Sequence, residues 1–169
     1  MKNTLQLLLL CLALVAAPAW AQGQKPRQSP ADSAMGRVGK ANVKIKYGSP
    51  SVKGRQIWGA LVPYDQVWRS GANEATTVSV DQPVSIEGKT LPAGTYTFFT
   101  IPGKDTWTVI FNKEAGQWGA YKYDEKKDAL RLTLKPTKLA TPQERLRYVV
   151  TPAGFALQWE SLELPVPMQ

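Results

Sequence analysis

The residues best suited to chemistry lie together between Tyr47 and Thr77. This stretch holds two Trp, two Tyr, two Arg, one Asn and one Glu, interrupted by four Gly and two Pro. Aromatic faces stack on sugar rings or apolar ligands, and Arg, Asn and Glu supply directional hydrogen bonds. The candidate ligand-binding side chains are therefore Arg55, Tyr64, Trp68, Arg69, Asn73 and Glu74.

The same stretch also has a packing interpretation, because a loop of this length in a compact domain has either a function or a packing role. Its apolar side chains would fold back as a lid over one end of the domain: Trp58, Leu61, Val62, Val67 and Trp68. Arg55 and Arg69 would then donate to loop carbonyls, with Glu74 as their counter-charge. Spacing alone does not separate a binding rim from a lid, so both interpretations stay open.

Acidic residues support a second hypothesis, a hydrolase that uses a pair of carboxyl groups. Glycoside hydrolases place two such groups ~5–9.5 Å apart. The candidates are Asp65, Glu74, Asp81, Asp105, Glu114, Asp124 and Glu160. Only Glu74 stands in a motif-like stretch, and no second acid stands out. We therefore assign no catalytic residue and favour a protein that is not an enzyme.

Composition excludes several kinds of active site. The 169 residues include no His and a single Cys. Without His there is no Ser-His-Asp or Cys-His catalysis and no His-ligated zinc. One Cys allows neither an internal disulfide nor an iron–sulfur cluster, and no calcium-loop motif occurs. We expect no metal site and no cofactor.

The positive charge of the chain indicates a class of partner. Its 21 Lys and Arg exceed its 13 Asp and Glu, for a net charge of +8. The basic residues are spread along the chain without a nucleic-acid recognition motif, so we expect no nucleic-acid partner. A glycan, a peptide or an anionic component of the cell envelope fits this charge better.

The N-terminus predicts export. Met1-Lys2-Asn3 is a short positive start, residues 5–17 are apolar apart from Gln6, and Ala19-Trp20-Ala21 is a small-x-small cleavage pattern. These features are typical of a secretory signal peptide over residues 1–21, so we expect a periplasmic or secreted protein. The apolar run is shorter than the ~20 residues that a membrane span needs, so no transmembrane span is expected after cleavage.

The remainder of the chain predicts a leader followed by one β domain. Residues 22–40 are rich in Gln, Pro, Ser and Gly, which is typical of a flexible leader. Over residues 41–169, apolar and polar residues alternate with a period of two, as in residues 43–47, 130–134 and 146–150. This pattern predicts a single all-β domain, an antiparallel β-sandwich of Greek-key type with about eight strands and no long helix in the mature chain.

Two strands break this alternation. The apolar set changes phase within Thr95–Ile101, and again after Trp159. Because a one-residue slip moves every side chain to the opposite face of a sheet, each break predicts a β-bulge or a strand that is buried on both faces.

Several motifs carry a family resemblance. They are Gly54-Arg55-x-Ile57-Trp58-Gly59, Val62-Pro63-Tyr64, Val67-Trp68-Arg69-x-Gly71-Ala72-Asn73-Glu74-Ala75-Thr76, Leu91-Pro92-Ala93-Gly94-Thr95-Tyr96 and Trp107-Thr108-Val109-Ile110-Phe111-Asn112. Together they resemble the bacterial exported family called domain of unknown function 2911, over roughly Val43 to Lys135 and more weakly in the tail. The resemblance implies a secreted or periplasmic domain, and it implies neither an activity nor catalytic residues.

Three function classes follow from these observations. The favoured hypothesis is a non-catalytic exported domain that binds a ligand or associates with the cell envelope. The alternatives are a carboxylate-based hydrolase resembling glycoside hydrolases, and a structural or assembly protein that pairs through exposed strand edges. The sequence does not set the oligomeric state.

Overall fold

The computed structural model describes residues Pro26–Gln169, so the expected signal peptide and the first residues of the leader lie outside the described range. Within that range the chain forms strands β1 (Ala31–Val38), β2 (Ala41–Gly48), β3 (Thr77–Val80), β4 (Val84–Ile86), β5 (Lys89–Leu91), β6 (Gly94–Ile101), β7 (Trp107–Asn112), β8 (Asp128–Leu134), β9 (Thr137–Thr151) and β10 (Gly154–Pro167). The prediction of an all-β antiparallel fold is confirmed, with ten strands rather than about eight. None of the helical segments in this range is long and apolar enough to cross a membrane.

One antiparallel sheet of six strands forms the first layer, in the order β1-β2-β3-β6-β7-β8. The long hairpin β9–β10 packs over one face of this sheet. The short hairpin β4–β5 contributes Val84, Ile86 and Leu91 to the same core. Phe98 of β6 lies where the layers meet, with its ring centroid 5.3 Å from those of Phe111 and Phe155. Burying a side chain of this size stabilises the fold by about 1.5–3 kcal/mol.

The edge strand β1 corrects the predicted leader. Residues 31–38 were expected within a flexible segment that ran to residue 40, and that prediction is wrong for them. β1 pairs with β2 in unbroken register from Ala31–Gly48 to Val38–Ala41. Most of its side chains are exposed or half-buried, and only Val38 is fully buried. Backbone hydrogen bonds to β2 therefore hold this strand in place. Such bonds do not require an alternating apolar pattern, so the sequence does not reveal the strand.

The two predicted breaks in alternation have different causes. In β6, Phe98 faces the main core, while Phe99 packs with Ala75 and Ile110 in a second cluster on the opposite face. This strand is buried on both faces. In β10 the register with β9 shifts on both sides of Glu160, whose φ is 53°. That break is a β-bulge.

Backbone hydrogen bonds fasten the loop between β2 and β3 to the main sheet. The Trp68 N–H donates to the Thr100 carbonyl (2.7 Å), and the Thr100 N–H donates back (3.0 Å). The Ala72 N–H donates to the carbonyl of Gly48 (3.2 Å). A Cβ at Gly48 would lie 2.0 Å from the Ala72 carbonyl oxygen, so only glycine permits this close approach.

Substituting Gly48→Ala tests this attachment. The new methyl group must push the Ala72 backbone away, and we expect a loss of about 2–3 kcal/mol in the free energy of unfolding. Gly54→Ala is the control, because its Cβ would meet no atom within 4 Å and only its φ of 66° is unfavourable. We expect about 1 kcal/mol there. Urea unfolding measures both, and equal losses would contradict the account.

Candidate functional site

Four of the six predicted residues line one cleft of about 660 Å³. We call it the Arg69 cleft. The lining residues used below are Arg27, Gln28, Lys53, Arg55, Leu61, Trp68, Arg69, Asn73, Trp118 and Trp159. It lies where the loop between β2 and β3 meets the segment before β1, the segment after β7 and strand β10. Of the predicted set, Tyr64 and Glu74 lie outside this cleft.

Four packed tryptophans form the floor of the cleft: Trp68 and Trp159 line it, and Trp58 and Trp107 pack against them. Trp68 stacks on Trp159, with ring centroids 6.0 Å apart and an interplanar angle of 18°. Trp58 meets both rings edge-on at 5.8 Å, and Trp107 lies 4.8 Å from Trp58. Trp58, Val62 and Trp68 are buried, as the lid interpretation requires. The expectation that Leu61 folds back with them is wrong, because Leu61 is 46% exposed. The same segment therefore closes the core and presents side chains to the cleft.

Arg69 is the unusual cation of this site. It directly follows the buried Trp68 and lines the cleft. The residue is half-buried, and its Nε–H has no hydrogen-bond partner within residues 26–169. Burial lowers the pKa of its guanidinium, while the nearby Tyr121 hydroxyl acts in the opposite direction. A buried donor without a partner lowers the stability of the fold by about 1–3 kcal/mol, and buried donors normally have an acceptor.

A second unpaired donor belongs to another residue of the cleft lining. Trp159 is only 1% exposed, yet its indole Nε1–H has no partner in the described part of the chain. Buried indole N–H groups normally find an acceptor. Two unsatisfied donors, from Arg69 and Trp159, thus belong to residues that line the same cleft.

The cleft has a one-sided charge. Arg27, Lys53, Arg55 and Arg69 line it, and no described lining residue is Asp or Glu. Cations gathered in a concave surface with low-dielectric walls raise the local concentration of anions. The arrangement can hold a negatively charged group.

The other predicted residues have mostly structural contacts. Arg55 is exposed, and it donates through Nε and Nη2 to the carbonyls of Val52 and Ser51. Asn73 has a φ of 62° and donates to the Ser29 carbonyl at 3.0 Å. The ring of Tyr64 lies against Gly59, where a Cβ would come within 2.6 Å of it. These contacts shape the loop that carries Arg69.

Glu74 lies in a neighbouring depression of about 600 Å³, which Asp32 also lines. Its partner is Arg27, whose Nη1 donates to both carboxylate oxygens at 2.8 and 3.0 Å. The expectation that Glu74 is the counter-charge of Arg55 and Arg69 is therefore wrong. The pKa of Glu74 is lowered, first by its own backbone N–H and then by Arg27.

Two important cleft residues, Arg27 and Trp118, are among those outside the predicted set. Arg27 falls in the stretch taken as a flexible leader, and it lines both the Arg69 cleft and the Glu74 depression. Trp118 is far away in sequence, but an isolated bridge joins it to Glu74. The available signal was the stretch Gln117-Trp118-Gly119-Ala120-Tyr121, in which two aromatic residues flank a glycine. Within residues 26–169, no group of three or more His, Cys, Asp or Glu could hold a metal ion.

The fold and site define an all-β domain with one cationic cleft over a tryptophan floor. The family described as "Protein of unknown function (DUF2911)" matches residues 29–168. The chain belongs to this family. Searches of curated proteins and of solved structures found no match to the chain. The family match confirms the resemblance noted in the motifs, and function must be argued from the cleft.

Substituting Arg27→Ala tests the assignment of the ion pair. We expect the pKa of Glu74 to rise towards its ordinary value without reaching it, because the backbone N–H remains. A lowered carboxyl pKa stabilises the fold above the unfolded-state pKa, and this contribution disappears as the pH falls through the folded-state value. The stability difference between variant and wild type should therefore shrink in acid.

Carboxyl-detected NMR titration measures the pKa directly. Arg55→Ala is the matched control, because Arg55 bonds only to backbone carbonyls among the described residues. The difference in stability should be small, since both partners are about half exposed and such pairs contribute about 0–1 kcal/mol. An unchanged Glu74 pKa in Arg27→Ala would contradict the pairing.

Proposed function

We propose that this domain is an exported, non-catalytic binding protein whose Arg69 cleft holds a ligand with a negatively charged group. The observation that carries the proposal is the half-buried Arg69 guanidinium, which has an unpaired Nε–H and lines a cleft with three further cations, of which only Arg27 is paired with a described carboxylate, that of Glu74. An anion there would accept a charge-assisted hydrogen bond, which contributes about 1.5–3 kcal/mol.

Carboxylate-based catalysis has weaker support. A glycosidase needs one carboxyl group whose pKa is raised, so that it can act as an acid near neutral pH. Asp32 and Glu74 line one depression, but Glu74 is held by Arg27 and its pKa is lowered. The Arg69 cleft has no described carboxylate lining it. We therefore assign no residue a catalytic role.

Export to the periplasm or the medium is part of the proposal, and it has its own test. After expression with the native N-terminus in a Gram-negative host, we expect mass spectrometry of the exported protein to find a chain that begins at Gln22. Ala21→Arg should block this processing, because the cleavage site needs a small residue. Gln24→Arg, beyond the site, is the control. A full-length exported chain would contradict the proposal.

Binding of polyanions tests the function itself. Calorimetric titration with polygalacturonate, polyphosphate and polyglutamate should find binding to at least one of them, weakening as salt is added. Arg69→Gln keeps a polar side chain of similar size and removes the charge. We expect it to lower the affinity about tenfold or more, as the loss of a charge-assisted bond implies.

Arg37→Gln is the matched control, because Arg37 is an exposed cation of β1 that lines neither depression. Its affinity should equal that of the wild type. Equal losses in the Arg37 and Arg69 variants would show unspecific attraction to a positive protein, and the proposal would then be wrong. Absence of binding to all three polyanions would also overturn it.

A further inference from the structure

We infer that the ligand is an acidic oligosaccharide, a short chain of sugar rings that bear carboxylates. This inference rests on the proposed function, and it adds a second recognition element to the cationic cleft. That element is a set of exposed apolar side chains that the core does not use.

Exposed apolar groups are concentrated at the cleft. Four large hydrophobic side chains are exposed within residues 26–169: Met35, Leu61, Trp118 and Tyr121. Leu61 and Trp118 line the Arg69 cleft, and the Tyr121 hydroxyl is close enough to influence the Arg69 guanidinium. Trp118 is 59% exposed, whereas the four tryptophans of the floor are buried. Large apolar groups clustered at a concave surface mark a binding site.

Trp118 is held in place by the loop that carries the cations. The Gly119 N–H donates to the Asn73 carbonyl (3.2 Å), and the Ala75 N–H donates to the Gln117 carbonyl (2.9 Å). These bonds lie on either side of Trp118 in sequence. The backbone that carries Trp118 is therefore fixed to the loop that follows Arg69, so a ligand needs to order only the side chain.

An exposed indole beside several cations favours a ligand whose sugar ring carries a negative charge. An indole face is electron-rich and attracts the polarised C–H groups on the flat side of a sugar ring. Arg69 and its neighbours attract a carboxylate. Asn73, Gln28 and Ser51 add amide and hydroxyl groups along the same lining, which suit a ligand with many hydroxyls. A cleft of about 660 Å³ is within the range that small ligands occupy.

A matched set of three probes separates these contributions. Tetragalacturonate carries rings and carboxylates, cellotetraose carries rings without charge, and tetraglutamate carries carboxylates without sugar rings. We expect tetragalacturonate to bind at least about tenfold more tightly than either of the others, because only it satisfies both elements. Trp118→Ala should lower its affinity about tenfold, and Trp118→Phe should retain most of it. Neither change should alter the weaker affinity for tetraglutamate.

Met35→Ala is the matched control, because Met35 is an exposed apolar residue of β1 that lines neither depression. If tetragalacturonate and tetraglutamate bind equally through Arg69, and Trp118→Ala changes neither, the saccharide inference is wrong while the proposed function stands. If no anionic probe binds, the proposed function fails. Equal affinity for cellotetraose, unaffected by Arg69→Gln, would also overturn the proposed function.

Discussion

The candidate site depends on how residues 68–76 are bonded to the strands around them. Trp68 and Thr100 exchange two backbone hydrogen bonds, and the Phe98 N–H donates to the Thr76 carbonyl at 2.7 Å. The Tyr148 hydroxyl, from the opposite layer, donates to the Ser70 carbonyl at 2.7 Å. Burial raises the pKa of Tyr148 well above its ordinary value, so this donor stays protonated. A connecting loop is thereby fixed as a wall of the cleft.

This attachment explains how one segment serves the core and the cleft. Trp68 is buried against three other tryptophans, and the next residue, Arg69, lines the cleft without a partner for its Nε–H. The binding and lid interpretations of residues 47–77 are therefore compatible. Tryptophan packing stabilises the segment, and that stability holds an unsatisfied guanidinium in position. Sites commonly retain such local costs because the surrounding structure over-determines them.

Much of the fold was predictable because burial on a sheet has a period of two. Alternation in β2, β8 and β9 predicted their core faces. Its failure in β6 predicted either a bulge or burial on both faces, and the structure shows burial on both faces. β1 escaped prediction because its register with β2 depends on backbone pairing. Arg27, which precedes β1 in the predicted leader, was missed for the same reason, and so was its bond to Glu74. Arg27 and Glu74 are 47 positions apart in the sequence, so their contact depends on the tertiary fold and cannot be predicted from neighbouring residues.

We propose that Arg69 pairs with an anion that no described residue supplies. NMR of the Arg69 Nε–H during titration with tetragalacturonate tests it most directly. We expect this resonance to shift and to exchange more slowly with water as the ligand pairs with the Arg69 guanidinium, while the Arg37 Nε–H signal stays unchanged. An Arg69 signal that does not respond, or that moves no more than that of Arg37, would contradict the account.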